Sequence, residues 1–161
     1  MNTVEYNKSV DKYADGMFRF ILKNIKDEDK ARDIVQDSFE KLWRNIENVN
    51  YQKVKSYLFT TAYHTMIDLI RKEKRKEDFE NVDVKEYSHS EQYSDFKEVL
   101  NIALEKLSDI QRSVILLRDY EGYSYAEIAK ITDLSESQVK VYIYRARKNL
   151  KSFIGSIETL V

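Results

Sequence analysis

The chain has 161 residues, with 27 Lys and Arg against 28 Asp and Glu, so its formal net charge is −1. It has no Cys and only two His, which excludes disulfides and the usual zinc sites. With no Pro and three Gly, helices are rarely interrupted. No apolar run is long enough to span a membrane, and the N-terminus lacks the apolar stretch of a signal peptide. We therefore expect a cytoplasmic protein without membrane insertion.

The first part of the chain predicts three helices. Apolar residues recur at helical spacing over 4–25, 29–46 and 53–76, and an Asn-rich loop over 45–52 separates the last two helices. The middle helix is predicted to turn six residues inward: Ala31, Ile34, Val35, Phe39, Leu42 and Trp43. These helices predict a first domain over residues 1–76.

Residues 77–94 are acidic, polar and aperiodic, and we predict a flexible linker there. Dense basic runs at 71–76 and 140–151 lie on either side of it. Phosphates respond to charge within about a Debye length, roughly 8–10 Å, and not to the charge of the whole chain. The near-neutral total therefore does not argue against nucleic-acid binding.

The second part of the chain predicts helices over 95–107 and from 109 to about 121. Ser108, followed three residues later by Gln111, predicts a capping box at the start of the second of these helices. Gly122 predicts a left-handed residue where that helix ends. Together with the segments that follow, these helices form a second domain, predicted over residues 95–161.

A helix-turn-helix follows, with a short helix over 123–129, a turn at 134–135 and a longer helix from Glu136. Ser135 and Gln138 predict a capping box at the start of the longer helix. Its predicted inner face consists of Val139, Ile143, Ala146 and Leu150, and the basic run on the remaining faces contains no acidic residue. Such a pair of helices fits a DNA major groove. The predicted fold class is all-α, with two small helical domains.

Three segments, in order, resemble the RNA polymerase sigma factors of the extracytoplasmic-function type, which consist of sigma-2 and sigma-4 domains. Residues 33–43 (DIVQDSFEKLW) are similar to the family's acidic and apolar helix, and residues 57–71 (YLFTTAYHTMIDLIR) to the helix that follows it. The third segment runs from 107 to 147 through GYSYAEIA and RAR. The resemblance covers nearly the whole length and implies a transcription initiation factor that binds core RNA polymerase and promoter DNA.

The resemblance also implies two surfaces in the first domain. In the family, the outward face of the helix over 29–46 docks on the clamp of the polymerase, which here implies Asp33, Gln36, Asp37, Glu40, Lys41 and Arg44. The next helix and the loop before it capture and melt the −10 element by base stacking and a basic groove. This role falls on Asn48, Asn50, Tyr57, Tyr63, His64, Arg71, Lys72, Lys74 and Arg75.

In the second domain the resemblance places the helix from Glu136 in the major groove of the −35 element. Residues implied to face bases are Ser137, Lys140, Val141 and Tyr144. Residues implied to contact phosphates or to start the helix are Ser135, Gln138, Arg145, Arg147 and Lys148. The chain departs from the family at Ser108, where the family usually has Pro, and at 137–138 and 141–142, where it usually has Gly-Thr and Ser-Arg.

Two other classes of protein stay open at this point. A stand-alone helix-turn-helix regulator would explain residues 95–150 but not the first domain. A helical enzyme would need a catalytic constellation, and the chain has two dispersed His and no Gly-rich phosphate loop. We expect no catalytic residue, cofactor or metal.

The resemblance leaves an anti-sigma factor open as a further partner. We also expect the two domains to pack together in the free protein and to mask both basic patches until polymerase separates them.

Overall fold

The computed structural model describes residues 1–80 and 96–158, and side chains within 1–78 and 96–156. Every regular segment in these ranges is helical, as the sequence predicts. The α-helices are α1 (Thr3–Ile25), α2 (Glu28–Arg44), α3 (Val54–Glu80), α4 (Phe96–Glu105), α5 (Asp109–Ile115), α6 (Tyr125–Thr132) and α7 (Glu136–Glu158). A 3-10 turn at Tyr51–Lys53 precedes α3, and a π-helical turn at Leu116–Tyr120 continues α5.

Helices α1, α2 and α3 pack against each other and form the first bundle. Asn2 begins α1 with a capping box to Glu5, and Asp27 caps α2 by accepting a hydrogen bond from the Lys30 amide. The bundle core contains Phe20, Ile21, Ala31, Ile34, Leu42, Leu58, Ala62 and Met66, each no more than 3% exposed. Helical periodicity therefore predicted most of this core.

Two details of the first bundle differ from expectation. Trp43, predicted to be buried, is 49% exposed and packs with its ring edge-on against Tyr6, at 5.1 Å between centroids. In addition, α3 continues to Glu80, so residues 77–80 are helical and the predicted linker begins too early. Residues 77–80 include neither Gly nor Pro, the residues that would end the helix. The rest of the predicted linker lies outside the described residues.

Helices α4 to α7 form the second bundle. Ser108 caps α5, as predicted, by accepting from the Gln111 amide at 3.3 Å. The reciprocal half of the predicted capping box is replaced, because the Gln111 side chain instead accepts from Asn149 Nδ2 of α7 at 3.2 Å. Gly122 has the predicted positive φ of 76°. The π-helical turn was not predicted, since a single extra residue leaves no clear signal in the periodicity.

The two bundles pack directly on each other, as expected for the free protein. The Tyr123 ring, 1% exposed, lies edge-on against Phe59 of α3, with 5.1 Å between centroids. Arg112 of α5, also buried, donates to Asn24 Oδ1 of α1 at 3.2 Å. Gly16 lets α1 approach the second bundle, because a Cβ there would lie 3.3 Å from Glu121 Oε2. One hydrophobic core is therefore continuous across both domains.

Candidate nucleic-acid interface

The helix-turn-helix is built by local capping interactions. Ser124 and Glu127 form a capping box that begins α6, with both hydrogen bonds at 3.1 Å. Asp133 ends α6 in the left-handed conformation, with φ of 58°. The predicted capping box of α7 is present, since Ser135 Oγ accepts from the Gln138 amide at 3.1 Å and Gln138 Oε1 from the Ser135 amide at 3.0 Å. The sequence thus predicted where α7 begins, and it missed the Ser124–Glu127 capping box and the left-handed Asp133.

Helix α7 presents one buried and one exposed face. Val139, Ile143 and Ala146 are no more than 2% exposed and fix α7 on the second bundle. All nine residues predicted for the −35 element are exposed: Ser135, Ser137, Gln138, Lys140, Val141, Tyr144, Arg145, Arg147 and Lys148. Two of them are large apolar side chains, with Val141 45% and Tyr144 67% exposed. We call the exposed face made by Ser137, Lys140, Val141 and Tyr144 the reading face.

Two cations of α7 contact side chains of neighbouring elements. Arg147 makes two hydrogen bonds to the carboxylate of Asp119, at 2.6 and 3.2 Å. Lys140 Nζ lies 5.5 Å from the centre of the Tyr125 ring, within cation–π distance. By contrast, Arg145 and Lys148 pair with no side chain of the described residues. The cations of α7 are therefore not equally available to an incoming phosphate.

A second basic surface follows the outer face of α3. We call Arg71, Lys72, Lys74 and Arg75 the α3 patch. Arg71, Lys72 and Arg75 are exposed, and His64 is exposed about two turns before Arg71. Lys74 instead reaches the second bundle, where its Nζ lies 2.6 Å from Asp109 Oδ2. The expectation that domain packing masks both basic patches is therefore wrong. The reading face of α7 and most of the α3 patch stay exposed, because the second bundle packs against α3 mainly through α6 and leaves these residues uncovered.

The aromatic and amide residues predicted for the −10 element differ in accessibility. Tyr57 is half-buried, and its hydroxyl accepts from Asn45 Nδ2 at 3.2 Å. Tyr63 is only 5% exposed in the packed arrangement, and burial raises the pKa of its hydroxyl. Asn48 and Asn50 are exposed in the turns before α3, although Asn50 Oδ1 also accepts from the Gln52 amide at 3.0 Å. Tyr63 can reach a base only if its surroundings change.

The residues predicted for polymerase binding share one face of α2. Asp33, Gln36, Asp37, Glu40, Lys41 and Arg44 are all exposed, opposite the buried side of the helix. Arg44 and Glu40 pair at 2.6 Å. Beside this face lies an apolar groove of about 510 Å³ between α1 and α2, with Tyr6, Phe39 and Trp43 in its wall. Sequence reasoning assigned Trp43 to the core by its apolar periodicity and gave no role to Tyr6.

The contact between the domains combines apolar packing with charge. Arg19 of α1 pairs with Glu121 at 3.0 Å, and the Glu121 side chain is only 9% exposed. Lys55 Nζ lies 4.1 Å from the centre of the Tyr123 ring. The Tyr123 hydroxyl is buried and makes no hydrogen bond within the described residues. Burial, and then the charges of Glu121 and Glu127, raise the pKa of that hydroxyl. The contact between the domains therefore includes specific charged pairs, and the Tyr123 hydroxyl is a buried polar group without a hydrogen bond among the described residues.

Within residues 1–80 and 96–158, no helix combines the length and apolar character needed to cross a membrane.

Two family descriptions match separate parts of the chain. Sigma-70 region 2 matches residues 10–76, which include the α3 patch and the exposed face of α2. Sigma-70 region 4 matches residues 99–150, which include the reading face of α7. The surfaces described above thus lie in the parts of the chain that match known families.

Known proteins resemble the chain over most of its length. The ECF RNA polymerase sigma factor SigM of Bacillus subtilis strain 168 is 31% identical over 149 residues, which cover 87% of this chain and 89% of SigM. RNA polymerase sigma factor SigV of the same strain is 33% identical over 137 residues, which cover 83% of this chain and 81% of SigV. Among solved structures, the sigma factor RpoE of Bartonella quintana in complex with the anti-sigma factor NepR matches with a TM-score of 0.76 and 27% identity. That match covers 93% of this chain and 96% of RpoE.

Proposed function

The chain belongs to the extracytoplasmic-function sigma factors of the sigma-70 family, and we propose that it directs core RNA polymerase to promoters through three separate surfaces. The resemblance predicted from three sequence segments is thereby confirmed, and the chain is a transcription initiation factor. A stand-alone helix-turn-helix regulator is not favoured, because region 2 is present as well as region 4. We further propose that the chain acts in the cytoplasm, with no catalytic activity of its own.

In this proposal the reading face of α7 enters the major groove of the −35 element. The observation that carries the proposal is the pair of exposed apolar side chains, Val141 and Tyr144, beside the cationic Lys140 and Lys148. An apolar side chain can pack on a thymine methyl, and Lys can donate to guanine acceptors. Arg145 and Lys148 are oriented to bind phosphates, which position α7 without reading sequence.

The α3 patch would bind the −10 element as a single strand. Arg71, Lys72 and Arg75 supply cations along the backbone, and the exposed His64 supplies a ring for stacking. Tyr63 has 5% exposure while the second bundle packs against α3 through α6. We propose that it joins this surface only after the two domains separate on polymerase. Packing thus keeps part of the −10 surface covered in the free protein.

The exposed face of α2 would dock on the polymerase clamp. Asp37, Glu40 and Lys41 provide polar contacts, and the groove beside Trp43 provides apolar area at the edge of the same surface. An exposed aromatic side chain beside charged residues is typical of a protein interface, where such residues contribute most to affinity. Polymerase binding is therefore assigned to α2 and the adjacent part of α1.

An anti-sigma factor is a further proposed partner. The Bartonella RpoE that matches this chain was solved with the anti-sigma factor NepR. The packed arrangement of the two domains described here is the form that such a partner would bind and keep from polymerase.

Capture of core polymerase and selection of DNA together test the proposed function. The full chain should retain core polymerase on a column, and the resulting holoenzyme should enrich duplexes that share two short motifs from a random pool. A variant with Val141→Ala and Tyr144→Ala should still retain core polymerase but should lose the upstream motif. If the variant enriches the same upstream motif as the original chain, α7 is not the helix that reads the −35 element.

A further inference from the structure

We propose that Asp119 is a positioning residue for the recognition helix, and that it holds Arg147 against the body of the helix-turn-helix so that Arg147 adds no phosphate contact. The proposal rests on the proposed placement of α7 in the major groove. It differs from the expectation that the sequence raised for Arg147, which was a contact with DNA phosphates.

The geometry of the pair is bidentate. Arg147 Nη2 lies 2.6 Å from Asp119 Oδ1, and Arg147 Nε lies 3.2 Å from Asp119 Oδ2. Two parallel N–H···O bonds orient the planar guanidinium as well as binding it. The Asp119 hydrogen bond is also the main cause that raises the pKa of the Arg147 guanidinium. With the Nε and Nη2 edge of its fork occupied by Asp119, the guanidinium would have to give up a matched carboxylate to bind a phosphate through that edge.

Asp119 faces α7 and lies in the π-helical turn. At its end the Glu121 amide donates to the Leu116 carbonyl at 3.0 Å, which spans five residues in place of four. The side chains of Asp119 and Glu121, two residues apart, point to different neighbours. Asp119 contacts Arg147 of α7, while Glu121 contacts Arg19 of the first bundle. Such turns are rare in helices and are often found at functional sites.

Arg147 lies at the edge of the exposed side of α7, next to the buried stripe and about two turns after Lys140. Arg147 directly follows Ala146, which is 0% exposed, and comes four residues after Ile143, which is 2% exposed. At 3.6 residues per turn this places it at the edge of the buried stripe. Tyr144 and Lys148 lie four residues apart on the exposed side. Arg147 is thus placed to fix the angle of α7, and Arg145 and Lys148 are placed to meet the DNA.

The functional consequence concerns specificity. Each phosphate contact strengthens binding to all sequences and carries no sequence information. By holding Arg147, Asp119 removes one such contact and leaves a larger share of the binding to the reading face. Asp119 therefore favours discrimination between sequences over affinity.

The test is the salt dependence of DNA binding by the full chain. The DNA is a 25-base-pair duplex that carries the −35 motif enriched by the holoenzyme, with a scrambled duplex for comparison. For each neutralised phosphate contact, log K falls with log salt by an additional slope of about 0.9, or about 3.5-fold between 50 and 200 mM. Arg145→Met and Lys148→Met should each reduce the slope by about this amount. Arg147→Met should leave the slope unchanged. Asp119→Asn should increase the slope by up to about 0.9, the value for one phosphate contact.

The Asp119→Asn effect must be separated from a simple loss of negative charge. In the Arg147→Met background, Asp119→Asn should no longer increase the slope, because no cation is released. An independent readout is the NMR order parameter of the Arg147 Nε–H group in the free full chain. It should be high in the original chain and should fall in Asp119→Asn.

Three outcomes would overturn the proposal. A reduced slope for Arg147→Met would mean that Arg147 does contact phosphate. An Asp119→Asn effect that persists without Arg147, or an Arg147 Nε–H that is disordered in the free chain, would mean that Asp119 does not hold Arg147. If no cation of α7 affects the slope, α7 is not the DNA surface, and both this proposal and the proposed function of α7 fail.

Discussion

Arg19 and Glu121 lie 102 residues apart in the chain and form a bidentate pair that joins the two domains, with Nε and Nη2 of Arg19 at 3.1 and 3.0 Å from the carboxylate oxygens. The two partners differ in burial. The Arg19 side chain is 51% exposed, whereas that of Glu121 is 9% exposed. Removing one partner therefore has a different consequence from removing the other.

We predict that Arg19→Met loosens the domain packing more than Glu121→Gln does. Arg19→Met leaves a nearly buried carboxylate without its main partner, which destabilises by about 1–3 kcal/mol, or more for a charged group. Glu121→Gln leaves a half-exposed guanidinium that water can solvate, at about 1 kcal/mol. Small-angle scattering and the urea midpoint of the free chain would measure both effects. A larger loss for Glu121→Gln would contradict the prediction.

The second prediction concerns the exposed face of α2. Reversal of charge in the double variant Asp37→Lys, Glu40→Lys should weaken core polymerase binding by about tenfold or more, because charge complementarity across an interface would become repulsion. Helix content should stay unchanged, since both residues are exposed. The matched control is Asp11→Lys, Glu98→Lys, which reverses two exposed acids elsewhere. If both double variants bind core polymerase equally well, the docking face is not on α2.

The third prediction separates base reading from phosphate binding on α7. Lys140→Ala should weaken binding to the preferred −35 duplex by about 1–3 kcal/mol and should relax the preference at a particular base pair. Arg145→Ala should weaken binding to all duplexes and reduce the salt slope by about one. Titrations on matched and scrambled duplexes at several salt concentrations distinguish the two. Equal losses on both duplexes for Lys140→Ala would make it another phosphate contact.

The fourth prediction concerns pH and the contact between Asp109 and Lys74. Burial by itself raises the pKa of Asp109, but the Lys74 hydrogen bond and the charges of Lys74 and Arg112 outweigh burial and hold the pKa below its ordinary value. A lowered carboxylate pKa stabilises the folded form above the ordinary pKa of about 3.9, and this stabilisation is lost as pH falls through the lower folded value.

The stability difference between the original chain and Asp109→Asn should therefore be constant at neutral pH and should shrink below about pH 4. Urea midpoints measured from pH 7 to pH 3 would show this trend. A difference that grows on acidification would contradict the assigned direction of the pKa shift.

The sequence predicted the parts of the structure that depend on local pattern. Helical periodicity identified the inner faces of α2 and α7, and the Ser135–Gln138 box identified the start of α7. Gly122 was predicted to be left-handed because Gly adopts positive φ without strain.

The parts that depend on distant residues could not be predicted. Arg112 meets Asn24 across 88 residues, and no local pattern marks that pairing. Trp43 was assigned to the core by its spacing, but α1 leaves it 49% exposed, in the wall of an apolar groove. Arg147 pairs with Asp119, which lies 28 residues earlier in the π-helical turn, and no local pattern marks that pairing either. The sequence therefore located the surfaces, and the structure determined which of their residues are available.

The central claim is that this chain gives core RNA polymerase promoter specificity, and run-off transcription tests it most directly. Core polymerase would be incubated with a genomic library of linear templates, with and without the full chain, and the transcript ends would be sequenced. We expect discrete start sites only with the chain present, each preceded by two motifs at a fixed spacing. The double variant Val141→Ala, Tyr144→Ala should lose most of these transcripts. The absence of any chain-dependent start site across the library would contradict the claim.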